Sequence, residues 1–305
     1  MNSRAGLSAT YQRRVMTVSL TPEAEGSGPP SSGNGWSERR PHGTGRPASA
    51  EGGLSLPISN GKLLTMPVSH PIPGPLSGAR FIRRYNRFLL QVRLEVTGSL
   101  TDAHMADPGR LRELLLPGKR LWLKPAANPG RKTRWTAVLV ESPSGEELVS
   151  LDTTLPNRLV GKALQAGVLE EFRGWVLEKT EATIGRSRLD FLLSQGERRK
   201  MALEVKSVTL VEDGIALFPD AVTTRGARHV RELAEIAGEP DWEAAILFVL
   251  QRSDGRMIRA ARSIDPDFAD ALEEAKAAGV RVLGRRCIVH RDKVVMGPRI
   301  PANSG

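Results

Sequence analysis

Three side chains in the stretch SRLDFLLSQGERRKMALEVKSVT, residues 187–209, could together act on a phosphodiester. Asp190 sits in a first apolar run with Leu189, Phe191 and Leu193. Ser194 to Lys200 is polar and supplies a turn. Glu204 and Lys206 then alternate with Leu203 and Val205 in a second run. Period-two alternation puts Glu204 and Lys206 on one strand face, roughly 6.5–7 Å apart along the chain. If the two runs pair as a hairpin, Asp190 comes alongside that face. Asp190 and Glu204 are hard oxygen donors of the kind Mg²⁺ or Mn²⁺ takes, with water and substrate phosphate filling the other positions. Such an ion activates a bound water and neutralises transition-state charge. Lys206 would orient that water or stabilise the developing charge. The same spacing also fits an ordinary polar strand face. Leu203 and Val205, however, mark the opposite face as buried, and charges on an interior strand need a partner or a function.

The elements around this trio carry longer signatures. SRLDFLL, EVKSVTL and FPDAVTTRGARHVREL, with AHMADPGRLRELLLPG and LDTTLPNRLV upstream, resemble the sugar fermentation stimulation protein family, SfsA. The resemblance runs from about Phe81 to Gly284. It implies an OB-like barrel followed by an α/β domain similar to the PD-(D/E)xK nucleases, and an association with DNA. It also implies that Asp190, Glu204 and Lys206 take the nuclease positions. Two residues depart from the patterns: Leu189 stands where the nuclease name has a proline, and Asp107 stands where the family motif has an asparagine.

The 305 residues allow about two domains, and 44 Lys and Arg against 34 Asp and Glu give a net charge of +10. Cys287 is the single cysteine, so an internal disulfide is excluded and a reducing cytoplasm fits. No apolar run reaches the roughly 18 residues of a membrane span. Residues 1–77 hold 33 Gly, Pro and Ser and no apolar period, so they read as a disordered extension. Arg4, Arg13 and Arg14 precede any acid there, a trait shared with organelle transit peptides. A linker, a tail, or a start codon assigned upstream of a true start at Met66 fits as well.

Residues 78–154 read as a small all-β module with Gly and Pro punctuation, an OB-like nucleic-acid-binding domain. Expected strands are Arg87 to Val96, Leu100 to Met105, Arg120 to Pro125, Thr133 to Glu141 and Leu148 to Thr154. Residues 78–150 carry 13 Lys and Arg against 7 Asp and Glu, whereas 151–305 carry 24 against 23, so the folded part's positive excess sits on the small module. In its opening, Arg80, Arg83, Arg84 and Arg87 interleave with Phe81, Tyr85 and Phe88. Guanidinium groups for phosphates and rings for bases suit nucleic acid; Phe81 and Phe88 as barrel core with a solvated arginine rim is the alternative. Asp107-Pro108 predicts the start of a helix with an apolar stripe of Leu111, Leu114 and Leu115. Arg110 lies at that start, where a phosphate could bind.

From residue 155 to 305 the pattern is that of the nuclease-like domain: a helix after Asn157, a strand Trp175 to Thr183, the Asp190–Lys206 hairpin, and a helix capped by Asp220. A buried strand Ala244 to Gln251 and a helix capped by Asp265 follow, and then the last strands. Glu181 is a candidate for a further acid, with Glu178 competing. Arg186 and Arg188 flank the trio. Arg225, Arg228 and His229 share a helix and could contact a DNA backbone, His229 also as a general acid. Glycine-rich nucleotide loops, zinc patterns and serine nucleophile motifs are absent. The expectation is a DNA-binding protein, DNA being preferred to RNA, with a Mg²⁺- or Mn²⁺-dependent nuclease site. The alternative is a DNA-binding regulator of sugar metabolism with no catalysis. The oligomeric state is not legible.

Overall fold

A computed structural model describes residues 58–59, 62–63, 67–128, 130–184 and 187–304. Most of the expected N-terminal extension, Met66 and Arg186 therefore lie outside the described residues. The chain from Pro67 onward is not all extension, however. After a two-stranded ribbon of β1 (Ile58–Ser59) and β2 (Lys62–Leu63), β3 (Ser69–Pro71) joins the main sheet of the C-terminal domain. Val68, Ile72 and Leu76 pack on that domain's core, so the boundary expected at residue 77 falls before Val68.

The barrel comprises β4 (Ser77–Asn86), β5 (Leu89–Leu94), β6 (Leu100–Met105), β7 (Arg120–Pro125) and β8 (Trp135–Glu141), with β9 (Leu148–Ser150) added beside β8. The hydrogen-bonded order is β6-β5-β4-β7-β8-β9, and a parallel β6–β8 pairing closes five strands into a barrel. Closure removes the sheet edges. Phe81, Leu90, Val92, Met105, Leu121 and Leu123 fill its interior. β8 is buried almost throughout because its inner side faces this core and Val138 and Leu139 pack on the α/β domain.

Between β6 and β7 the expected helix at Asp107 does not form. The Asp107 carboxylate accepts from the Gly109 N–H at 2.8 Å, a local turn that competes with a helix start. Leu111 takes a φ of 47°, and its N–H goes to Asp220 Oδ2 at 3.3 Å. Leu111 and Leu114 still enter the barrel core, as their spacing predicts.

The second domain opens with α1 (Leu155–Gln165), followed by a short 3₁₀ turn, Glu170–Phe172. An antiparallel trio follows: β10 (Val176–Ile184), β11 (Ser187–Gln195) and β12 (Arg199–Val208). Next come β13 (Leu210–Glu212), β14 (Ile215–Phe218), α2 (Thr224–Ala237), β15 (Trp242–Leu250), β16 (Met257–Ala260) and α3 (Pro266–Ala277). β17 (Arg281–Val289), β18 (Lys293–Ile300) and β19 (Ala302–Asn303) finish the chain. The main sheet runs β10-β11-β12-β15-β17-β18-β3, parallel only at β12, β15 and β17; β13, β14, β16 and β19 form a small second sheet. The central strand β15 is apolar on both faces because both are covered. Ile246, Phe248 and Leu250 meet α2 and α3, whereas Ala245, Leu247 and Val249 meet α1 and the barrel. Asp265 caps α3 through the Phe268 N–H, as expected. The cap of α2 is Thr223, whose hydroxyl accepts from Gly226; Asp220 serves the barrel instead.

Candidate functional site

Backbone pairing explains where Asp190 goes. The β11–β12 ladder is regular from Gln195↔Arg199 up to Phe191↔Leu203 and stops there. Beyond it the Asp190 carboxylate replaces a ladder acceptor: Oδ2 takes the Val205 N–H at 2.8 Å. Oδ1 takes the Asn157 side-chain amide of α1 at 2.6 Å. Asp190, Glu204 and Lys206 are thereby gathered where the strands part.

Glu204 is 5% exposed. Its Oε1 accepts from Lys206 Nζ at 2.7 Å and lies 2.9 Å from His229 Nδ1. Arg225 Nε–H donates to His229 Nε2 at 3.3 Å, so the ring's proton sits on Nδ1 and is donated to Glu204. Burial pushes the Glu204 carboxyl up, but Lys206 and the bonds from His229 and Lys206 outweigh it, and it is held below the ordinary range. Asp190 moves the other way: burial and the Glu204 charge raise it against the donors from Val205 and Asn157. Two neighbouring carboxyls with opposed shifts are a pattern common at catalytic centres.

The other expected site residues divide. Glu181 is not at the trio: it sits at a positive φ of 52°, points to solvent and pairs with the exposed Arg188 at 2.7 Å. Glu178 pairs with Lys200. His229 is buried behind Glu204 and has no open face for a backbone phosphate. Arg84 is structural: its guanidinium donates to the carbonyls of Asn86, Arg87, Asp107, Gly109 and Arg110, which ties the β4–β5 hairpin to the turn at Asp107. Arg80 pairs with Glu95 and Arg228 with Glu232. Arg87 and Arg110 line a cavity of about 870 Å³ between the barrel and the α/β domain, whose other wall includes Ser207, Thr209 and Asp220. Sequence reasoning passed over Asn157, although LPNRLV belongs to the matching segments, and it assigned Asp220 only to a cap.

Similarity to known proteins decides the family. Residues 82–151 match the family described as "SfsA N-terminal OB domain", and residues 154–293 the one described as "Sugar fermentation stimulation protein RE domain". A sugar fermentation stimulation protein homolog of Shouchella clausii is 49% identical over 227 residues, 74% of this chain and 97% of that one. The chain belongs to the sugar fermentation stimulation protein family. A Moorella thermoacetica homolog is 46% identical over 74% of this chain and 94% of its own. The solved structure of Pyrococcus furiosus SfsA in complex with Ca²⁺ aligns with a TM-score of 0.69 at 28% identity, covering 78% of this chain and all of that one. The family's two-domain order, OB barrel then α/β, is the order seen here. Among the described residues no helix is long and apolar enough to cross a membrane.

Proposed function

We propose that this chain is a nucleic-acid-binding protein, taking DNA in preference to RNA, with a divalent-metal-dependent phosphodiesterase site at Asp190, Glu204 and Lys206. The observation that carries the reading is the gathering of these three groups where β11 and β12 part, with Glu204 held ionised by its neighbours. The donor set fits Mg²⁺ or Mn²⁺. Both bonds to Glu204 fall on Oε1, which leaves Oε2 for a cation, and Asp190 adds a second carboxylate. Among the described residues no group of three or more His, Cys, Asp or Glu is placed to hold a metal; one or two carboxylates, completed by water and substrate phosphate, is a set that Mg²⁺ accepts. The Ca²⁺ named for the Pyrococcus relative supports a divalent site.

When bound, the ion supplies Lewis acidity toward the phosphate and an acidified water. Lys206 holds its ammonium on Glu204 Oε1 at 2.7 Å, from where it would stabilise charge developing on the phosphate. Asn157 and the Val205 N–H fix the orientation of Asp190, and His229, locked by Arg225, fixes that of Glu204. The barrel's basic residues bordering the cavity supply phosphate contacts.

The test is cleavage of labelled DNA and RNA, single- and double-stranded, by the full chain with Mg²⁺, with Mn²⁺ and with chelator. Metal-dependent cleavage that falls at least about a hundredfold in both Lys206→Ala and Glu204→Ala supports the site. Clean wild-type protein that binds DNA without cutting it, in either metal, sinks the nuclease reading in favour of a non-catalytic regulator.

A further inference from the structure

The β4–β5 hairpin carries two rings that the barrel does not use. Tyr85 is 45% exposed and Phe88 48%, whereas Phe81 on the same strand is 3% exposed. Irregular register at Phe81/Arg83 and again at Arg84/Asn86 turns the following side chains outward. Each ring has one neighbour held close to it. The Arg83 guanidinium lies 4.8 Å from the Tyr85 centroid. Phe88 lies parallel to His104, 6.4 Å between centroids and 10° between planes. Flat rings held this way offer π surface on which any unpaired base can stack. A duplex keeps its bases stacked on one another and offers them none.

The same hairpin borders the interdomain cavity, because Asn86 and Arg87, between the two rings, line it. The opposite wall includes Ser207 and Thr209 at the end of β12; Lys206, one residue earlier, faces the other side of the strand and does not line the cavity. A cube of the cavity's volume would have an edge of about 9–10 Å, less than the roughly 12 Å of the DNA major groove alone. Its volume is of the size that takes one small ligand. Arg87, Arg110 and Arg112 are exposed, whereas Asp107 is buried and Asp220 half-buried; Arg84, also half-buried in the lining, has its guanidinium taken up by the carbonyls of Asp107, Gly109 and Arg110. Cations at the mouth suit phosphates. Carboxyls deeper in repel a phosphate and accept from the amino groups of a base.

We propose that the Tyr85 and Phe88 rings and this cavity form one track for a single strand of nucleic acid. Bases stack on the rings, one unpaired nucleotide enters the cavity base first, and the backbone leaves toward the end of β12, the strand that carries Lys206. The track rests on the nuclease reading only in its destination; the stacking surface stands apart from it.

The experiment is fluorescence anisotropy of the full chain, in chelator, with a labelled 16-nucleotide oligo-dT and with a labelled 16-base-pair duplex. The double variant Tyr85→Ala, Phe88→Ala is expected to lose about tenfold or more in affinity for oligo-dT, with less than about threefold change on the duplex. Tyr85→Phe with Phe88→Trp keeps oligo-dT binding, and so does Val96→Ala with Leu100→Ala, which removes exposed apolar groups elsewhere on the barrel. Equal losses on both nucleic acids, unchanged oligo-dT binding in the ring variant, or no wild-type binding to oligo-dT overturns the proposal. Because binding is read without metal, absence of cleavage leaves the track standing, and absence of the track leaves the metal site standing.

Discussion

Asn157 is one of several groups that set how readily Asp190 ionises. Burial and Glu204 already raise the Asp190 carboxyl, and the Asn157 amide is one of the groups opposing them. Asn157→Ala is therefore expected to raise it further. Mn²⁺ binding followed by calorimetry should need a higher pH to saturate in the variant, with the curves converging at alkaline pH. Asp107 makes a second prediction. Burial, with Asp220 adding and the Gly109 N–H opposing, pushes its carboxyl up to about 6 from 3.8. Between those values the folded chain binds the extra proton, so stability falls as pH rises through the window and is level above it. Asp107→Asn removes the charge and keeps an oxygen for Gly109. Thermal melts should show the variant more stable at pH 7.5, by about 1–3 kcal/mol, with the gap closing toward pH 4. The asparagine expected from the family motif is thus the residue that this buried turn favours. At this scale the proximity of Asp190, Glu204 and Lys206 was legible, because a two-residue period and a hairpin suffice to bring them together. Asn157 was not: its role depends on α1 crossing the sheet end, a contact 33 residues away in sequence.

Elements show where local pattern yields to tertiary structure. β6 and β7 end where alternation and proline place them. β4 was missed because two irregular registers break its alternation and arginines crowd its outer face. The turn at Asp107 looked helical because capping residues, proline and a leucine stripe coincide there, yet the same carboxylate that would cap a helix closes a tighter turn. The 3₁₀ turn after α1 is held to the sheet by Glu171, whose two oxygens accept from Arg285 of β17 at 2.6 and 2.8 Å. Both groups are buried, and burial's upward push on Glu171 is more than offset by Arg285. Removing one partner strands the other charge in the interior. Glu171→Ala should cost roughly 3–5 kcal/mol, seen as a lower denaturant midpoint at unchanged slope.

At the scale of the whole molecule, both domains and their order could be read from composition, charge and motif. Their interleaving could not, since three residues of strand carry almost no pattern. β3 precedes the barrel in sequence but completes the sheet that follows it. A chain beginning at Pro67 should melt with the full chain. One beginning at Ser77 would uncover the β18 edge and the apolar surface under Val68, Ile72 and Leu76, and should melt lower and self-associate by light scattering.

The same strand sets a schedule during synthesis. β3 leaves the ribosome among the first described segments, yet its partner on β18 lies about 220 residues later. At roughly 5–20 residues per second, β3 waits about 10–45 s for that partner, while the barrel between them can close on its own contacts. The sheet edge at β18 can be covered only once a strand made this early meets one of the last, so an interrupted message leaves β3 without its partner.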